Sequence, residues 1–158
     1  MSNDITAIVR DYRSATQFFI DCVAHVTAEN IDVKHPEEWS ARQVIHHMAD
    51  SEAQSYARIR RLLAEPEGSI IQGYDEAAWA TCATLGYADL PYENSLAVFI
   101  AVRAASADVL ARMTESDLDR MGVHSESGPF GVRNWISSYT NHPRDHGNQL
   151  LRALRAEA

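Results

Sequence analysis

The clearest chemistry in this sequence lies near the C-terminus. The stretch Asn141-His142-Pro143-Arg144-Asp145-His146-Gly147-Asn148-Gln149 holds two imidazoles four residues apart. On a helix that spacing stacks both rings on one face, one turn apart. The chain has 7 histidines, and His142/His146 is the one pair at this spacing. Such a pair holds a divalent metal when another segment brings a third ligand.

A second segment offers that ligand. In Trp39-Ser40-Ala41-Arg42-Gln43 a serine precedes a glutamine by three residues, a capping box that starts a helix. This helix is expected to run to about Leu63, with Val44, Ile45, Met48, Ile59, Leu62 and Leu63 on its apolar face. At about 100° per residue, His46 falls nearly opposite Met48, on the solvent side. His47 falls on the border of the apolar stripe and is the better candidate for an inward ligand. The other reading of His47 is a partly buried structural histidine. Asp50, one turn later, is placed to orient the His47 ring.

The last helix is expected from about Val132 to Arg155. Trp135, Tyr139, His142, His146, Gln149 and Leu150 share one side at three- and four-residue steps. Burying two imidazoles is costly unless both are satisfied, and one metal satisfies both. Pro143 resists a smooth helix, because it cannot donate to the carbonyl of Tyr139. The helix therefore kinks there or restarts with Asn141 as cap. The alternative is a plain break with His142 on the surface.

The rest of the chain supplies two more long helices. Ile5, Val9, Tyr12, Phe19, Cys22 and Val26 mark one from about Asn3 to Thr27, with Ser2 or Asn3 to cap it and His25 near its end. Leu96, Phe99, Ala107, Leu110 and Met113 mark another from about Pro91 to Met113. His35 and His124 read as surface residues of loops. Ala64 to Pro91 is a long connection with a short helix at Asp75 to Thr81, and connections of that length are functional or cross the bundle. Asp75 and Glu76 there either line a site or form a solvated helix start. Thr114 to Pro129 reads as a polar connection, and no strand pattern appears. The expected fold is all-α: an antiparallel four-helix bundle in a single domain over residues 1–158, with a long connection between the second and third long helices. His47 can then face His142 and His146, because bundle metal sites are built from facing helices. Three neutral imidazoles and an open position match a catalytic zinc or nickel site.

Formal net charge is −8 and no basic block occurs, which argues against nucleic acid and against an anionic membrane as partner. Cys22 and Cys82 form no spaced framework and read as reduced thiols. Met1-Ser2-Asn3-Asp4 lacks the basic and apolar regions of a secretory signal, and no apolar stretch approaches transmembrane length. The expected location is the cytoplasm.

Several of these segments together resemble the DinB/YfiT-like superfamily. Trp39-Ser40-Ala41 with His47-Met48-Ala49-Asp50-Ser51-Glu52 is similar to its first signature. Tyr74-Asp75-Glu76 with Trp79-Ala80 is similar to its middle connection, and Asn141-His142, His146 and Gln149-Leu150 to its last signature. The resemblance implies an antiparallel four-helix bundle, often a homodimer, with His47, His142 and His146 as ligands of nickel or zinc. It also implies a small-molecule substrate, turned over by thiol-dependent transfer with a low-molecular-weight thiol, by thiol-dependent isomerisation or by metal-dependent hydrolysis.

The first function expected is thus enzymatic. A metal acting as Lewis acid would lower the pKa of a water or thiol. No nucleophilic side chain accompanies the histidines, and Asp50, Asp75, Glu76 and Asp145 are unranked candidates for a general base or a carboxylate supporting the ligands. The alternative is a non-catalytic dimeric bundle that binds a metal or ligand. A third is a metal-free bundle with hydrogen-bonded histidines.

Overall fold

The computed structural model describes residues 3–158, with Asn3 by its backbone alone. The proposed capping by Ser2 or the Asn3 side chain lies outside the described residues. Four long helices dominate: α1 (Asn3–Val23), α2 (Ala41–Ala64), α4 (Glu93–Leu110) and α5 (Val132–Ala153), with a short α3 (Glu76–Thr81) before α4. The capping box of α2 forms as its sequence requires. Ser40 Oγ accepts from the Gln43 amide, and the Ser40 amide donates to Gln43 Oε1. α1 ends at Val23, four residues short of the expected Thr27, so His25 lies beyond the helix and is exposed.

Contacts between helices set their directions. Tyr12 stacks on Trp135, and ten residues later Cys22 faces Gly147, so α1 and α5 run parallel. His46 meets Ser95 and Glu52 meets Arg103, so α2 and α4 run parallel too. Ser55 bonds Trp135 while His47 meets His146, so α2 opposes α5. Phe19 packs on Phe99 and Arg13 pairs with Asp108, so α1 opposes α4. Two helices therefore run up and two run down. The long connection after α2 has a simple cause: a parallel neighbour must start at the same end, so residues 65–92 carry the chain back along the bundle.

The connections also hold a sheet that the sequence did not announce. β1 (Ile70–Ile71) pairs parallel with β2 (Met121–His124), and β2 pairs antiparallel with β3 (Gly128–Gly131). Strands of two to four residues, rich in glycine, are too short to show a period-two pattern. Gly128 turns the hairpin at φ +81°, a conformation that suits glycine. His124, expected in a loop, lies on β2. Helical turns at Ala83–Leu85 and Glu115–Asp119 complete the connections.

The core has two apolar halves. One gathers Tyr12, Ile59, Leu62, Leu110 and Trp135; the other gathers Phe19, Ile45, Met48, Phe99 and Leu150. Buried polar groups lie at the middle of the bundle, among them Glu52, Ser55, Arg103 and Ser106. No helix among the described residues is long and apolar enough to cross a membrane.

Candidate metal centre

His47 stands two turns into α2, where the box at Ser40 fixes the helix start and the fully buried Val44, Ile45 and Met48 fix its rotation. His47 itself is 1% exposed. α5 begins after Gly131, whose amide donates to Asn134 Oδ1, and runs unbroken to Ala153. It does not restart at Asn141. Pro143 is buried inside the helix, with His142 and His146 on either side of it. Gly147 lets α1 approach next to His146, since a Cβ there would lie 2.8 Å from Phe18 Cε1.

These placements bring the three imidazoles to one point. One nitrogen from each of His47, His142 and His146 lies within 4.8 Å of the others. His47 Nε2 and His142 Nε2 are 3.3 Å apart. Ring centroids are separated by 4.4 Å for His142/His146 and 4.6 Å for His47/His146. Two nitrogens each about 2.0–2.1 Å from one tetrahedral zinc would stand about 3.3–3.4 Å apart. The donor set and this spacing fit a divalent ion.

The three rings are held in the form a metal needs. Burial pulls His47 down to about 3, with the neighbouring His146 adding to the effect. Burial likewise pulls His142 down to about 2, helped by His146, His47 and Arg103. His146 is lowered by burial, against the opposing pull of Gln149, Glu76 and Asp145. All three rings are thus neutral at neutral pH and offer a lone pair.

Their support is uneven. His146 Nδ1 lies 2.7 Å from Gln149 Oε1, and Gln149 Nε2 donates to Glu38 Oε2 at 3.4 Å. A carboxylate only accepts, so this chain orients the amide, makes His146 Nδ1 the donor and leaves its Nε2 free for a metal. The Nδ1 atoms of His47 and His142 are buried with no hydrogen-bond partner among the described residues. The rings of Trp39 and Tyr139 flank the centre, 5.0 Å from His47 and 6.3 Å from His142. Arg58 Nη1 donates to the Tyr139 hydroxyl at 2.8 Å.

The carboxylates singled out in the sequence go to different places. Asp50 accepts from the Tyr87 hydroxyl at 2.5 Å, and no bond joins it to His47. Asp75 caps α3 by accepting from the Ala78 amide. Glu76 is exposed, and its charge acts on His146, Tyr74 and Tyr139. Asp145 is exposed and acts on the adjacent His146. His46 is a correction: spacing places it toward solvent, yet it is 5% exposed. Its Nδ1 meets Ser95 Oγ and its Nε2 meets the Leu90 carbonyl, because the returning connection and α4 cover that face. Gln149 as the orienter of His146 was legible only as a residue three positions later on the same face.

Neither cysteine joins the site. Cys22 is buried, and burial pushes its thiol up; Cys82 is exposed at the end of α3.

Fold and site together define a helical bundle with three convergent imidazoles on facing helices. The sequence profile of the DinB superfamily matches residues 10–150, and the chain belongs to that superfamily. It is 35% identical over 108 residues to a proposed metal-dependent hydrolase of Oceanobacillus iheyensis, covering 68% of this chain and 60% of that one. A second protein of that organism, of the same description, is 25% identical over 96% of this chain and 86% of its own. A proposed metal-dependent hydrolase of Bacillus mycoides is 32% identical, again over 68% of this chain and 60% of the relative. The matched segment thus spans about 60% of the length of two of these three relatives. Among solved structures, YfiT from Bacillus subtilis superposes with a TM-score of 0.85 over all of this chain and 91% of its own, at 23% identity. That protein is described as a proposed metal-dependent hydrolase with an unusual four-helix bundle topology.

Proposed function

We propose that this protein is a divalent-metal-dependent hydrolase of a small molecule, with His47, His142 and His146 as the metal ligands. The carrying observation is the convergence of three neutral imidazoles, His47 buried and His142 and His146 half-buried, from two facing helices. Imidazole donors suit zinc and nickel. A bound ion supplies Lewis acidity, polarising the substrate and favouring deprotonation of the attacking group near neutral pH.

The chain's own residues hold and shape the site. Gln149, steadied by Glu38, fixes the tautomer and tilt of His146. Trp39 and Tyr139 place aromatic surface beside the ligands and keep water from the flanks of the rings. Arg58 holds the Tyr139 hydroxyl. Neither cysteine is a nucleophile at this site, so the attacking group comes from outside the chain. The descriptions of the relatives support the hydrolytic reading.

The test is elemental analysis of untagged protein beside His47→Ala and His142→Ala, followed by a screen of esters and amides. About one equivalent of zinc or nickel in the parent, lost in both variants together with hydrolysis, is the expected result. No metal after reconstitution with both ions would end this reading. Product formed only when a low-molecular-weight thiol is added would move it to thiol transfer. Metal without turnover of any substrate would move it to a binding module.

A further inference from the structure

Pro143 has no amide hydrogen, so the bond from residue 143 to the carbonyl of residue 139 cannot form. Tyr139 is 4% exposed, and a buried carbonyl left without a donor is costly. α5 nevertheless continues through this point. The donor comes from another helix: Arg103 Nη1 on α4 lies 2.5 Å from the Tyr139 carbonyl oxygen.

The same guanidinium reaches every other long helix. Nη1 also donates to Glu52 Oε1 on α2 at 3.1 Å, Nη2 to the Tyr12 carbonyl on α1 at 2.9 Å, and Nε to Thr16 Oγ1 at 2.8 Å. Its Cζ lies over the Tyr12 ring, 3.5 Å from the centroid. The Arg103 and Glu52 side chains are both 0% exposed. Tyr139 precedes His142 by three residues, and Glu52 follows His47 by five. One side chain therefore joins the two backbone segments that carry the opposed ligands His47 and His142. Arginine suits this place because its rigid fork serves several acceptors at once and stays charged.

We propose that Arg103 is a positioning residue for the metal centre. It supplies the donor that Pro143 lacks, keeps the α5 backbone helical through His142, and so sets the His142 ring against His47. The proposal rests on the metal-site reading above for its functional meaning. It pairs Arg103 with Pro143: once residue 143 can donate for itself, the metal site no longer needs the guanidinium at Tyr139.

The experiment is a double-mutant cycle of Arg103→Met and Pro143→Ala. It reads zinc affinity by chelator competition and ligand geometry by the visible absorption of cobalt(II). Measurements are made at a temperature where circular dichroism shows every variant folded. Arg103→Met is expected to weaken zinc about 10–100-fold, as loss of a supporting contact does elsewhere, and to alter the cobalt spectrum. Pro143→Ala alone leaves both near wild type, and the double variant recovers most of the loss. If Arg103→Met does not fold, Arg103→Lys, which keeps a charge for Glu52 without the fork, replaces it in the cycle. Wild-type affinity and spectrum in the Arg103 variant would overturn the proposal. So would a loss that Pro143→Ala fails to restore, since Arg103 would then be general scaffold. If the parent binds neither zinc nor cobalt, the hydrolase reading falls separately. The cycle is then read in metal-free protein from the NMR contact between the His47 and His142 rings. That contact is expected to vanish in Arg103→Met and return in the double variant, and its persistence in Arg103→Met would equally overturn the proposal.

Discussion

Two buried polar groups occupy neighbouring levels of the bundle, and they are built in opposite ways. At the level of Glu52 and Arg103, charged groups pair with each other, and hydroxyls and carbonyls meet most of their remaining hydrogen-bonding capacity. At the level of His47, His142 and His146, three neutral rings each bring one nitrogen to a common point, and two Nδ1 atoms have no partner among the described residues. The first level pairs its charges within the chain. The second has the chemistry of a ligand site, because converging acceptors are satisfied by a cation and by little that a protein contains. Burial acts on both. It pushes the Glu52 carboxyl up, against the pull of Arg103 and Ser55, and the imidazoles down. Only the first level is answered by a charge of opposite sign.

The largest expected effect comes from breaking the charge-paired level. Glu52→Ala leaves the Arg103 charge buried without its carboxylate, and loss of one partner of such a pair costs about 3–5 kcal/mol. Urea unfolding would show this as a lower midpoint. A loss below about 1 kcal/mol, the range of an exposed pair, would mean that water reaches the pair.

Filling the second level should stabilise the fold. An ion present at about 1,000 times its dissociation constant adds about 4 kcal/mol. Melting curves with zinc or nickel should therefore rise well above those with a chelator, and His47→Ala should abolish the difference. Equal curves for the parent protein would show that the three nitrogens do not act as one site.

Acid should separate the levels in metal-free protein. His47 and His142 are held at about 3 and about 2, whereas in the unfolded chain they titrate near about 6.5. Below that value the unfolded chain binds protons that the folded chain refuses. The stability these rings contribute is thus present above about pH 6.5 and lost as pH falls toward about 3. The limiting slope is about 1.4 kcal/mol per pH unit for each ring. Denaturation midpoints at pH 7.5, 6 and 5 test this, and a flat profile would show that the rings charge within the fold.

The smallest effects compare two supporting residues. Gln149→Leu removes the side-chain partner of His146 Nδ1 and should weaken metal binding about tenfold with little change in helix content. Asp50→Ala should leave metal affinity unchanged, since Asp50 is tied to Tyr87. Isothermal titration of the two variants ranks them. The reverse order would return Asp50 to the role of orienting His47.

Much of this was legible along the chain because the causes are local. Helical periods, the Ser40/Gln43 box and the edge-on contact of His142 with His146 arise within one or two turns, where sequence neighbours are also spatial neighbours. His47 was legible as the histidine nearest the buried stripe. The segments that carry the family resemblance lie on these same helices and on the connection between α2 and α4.

What only tertiary structure decided depends on residues far apart in sequence. His46 is buried because the connection returning past Leu90 covers its face, 44 positions away. The short strands exist because β1 and β2 meet across some fifty residues, although neither has a pattern of its own. Asp50 turns to Tyr87, 37 positions on, instead of to the ring one turn away. Pro143 reads as a break in the sequence because its missing hydrogen bond is a local fact. The donor that replaces it, Arg103, stands 36 residues before Tyr139 on a different helix, and packing of four helices around one guanidinium is what brings it there.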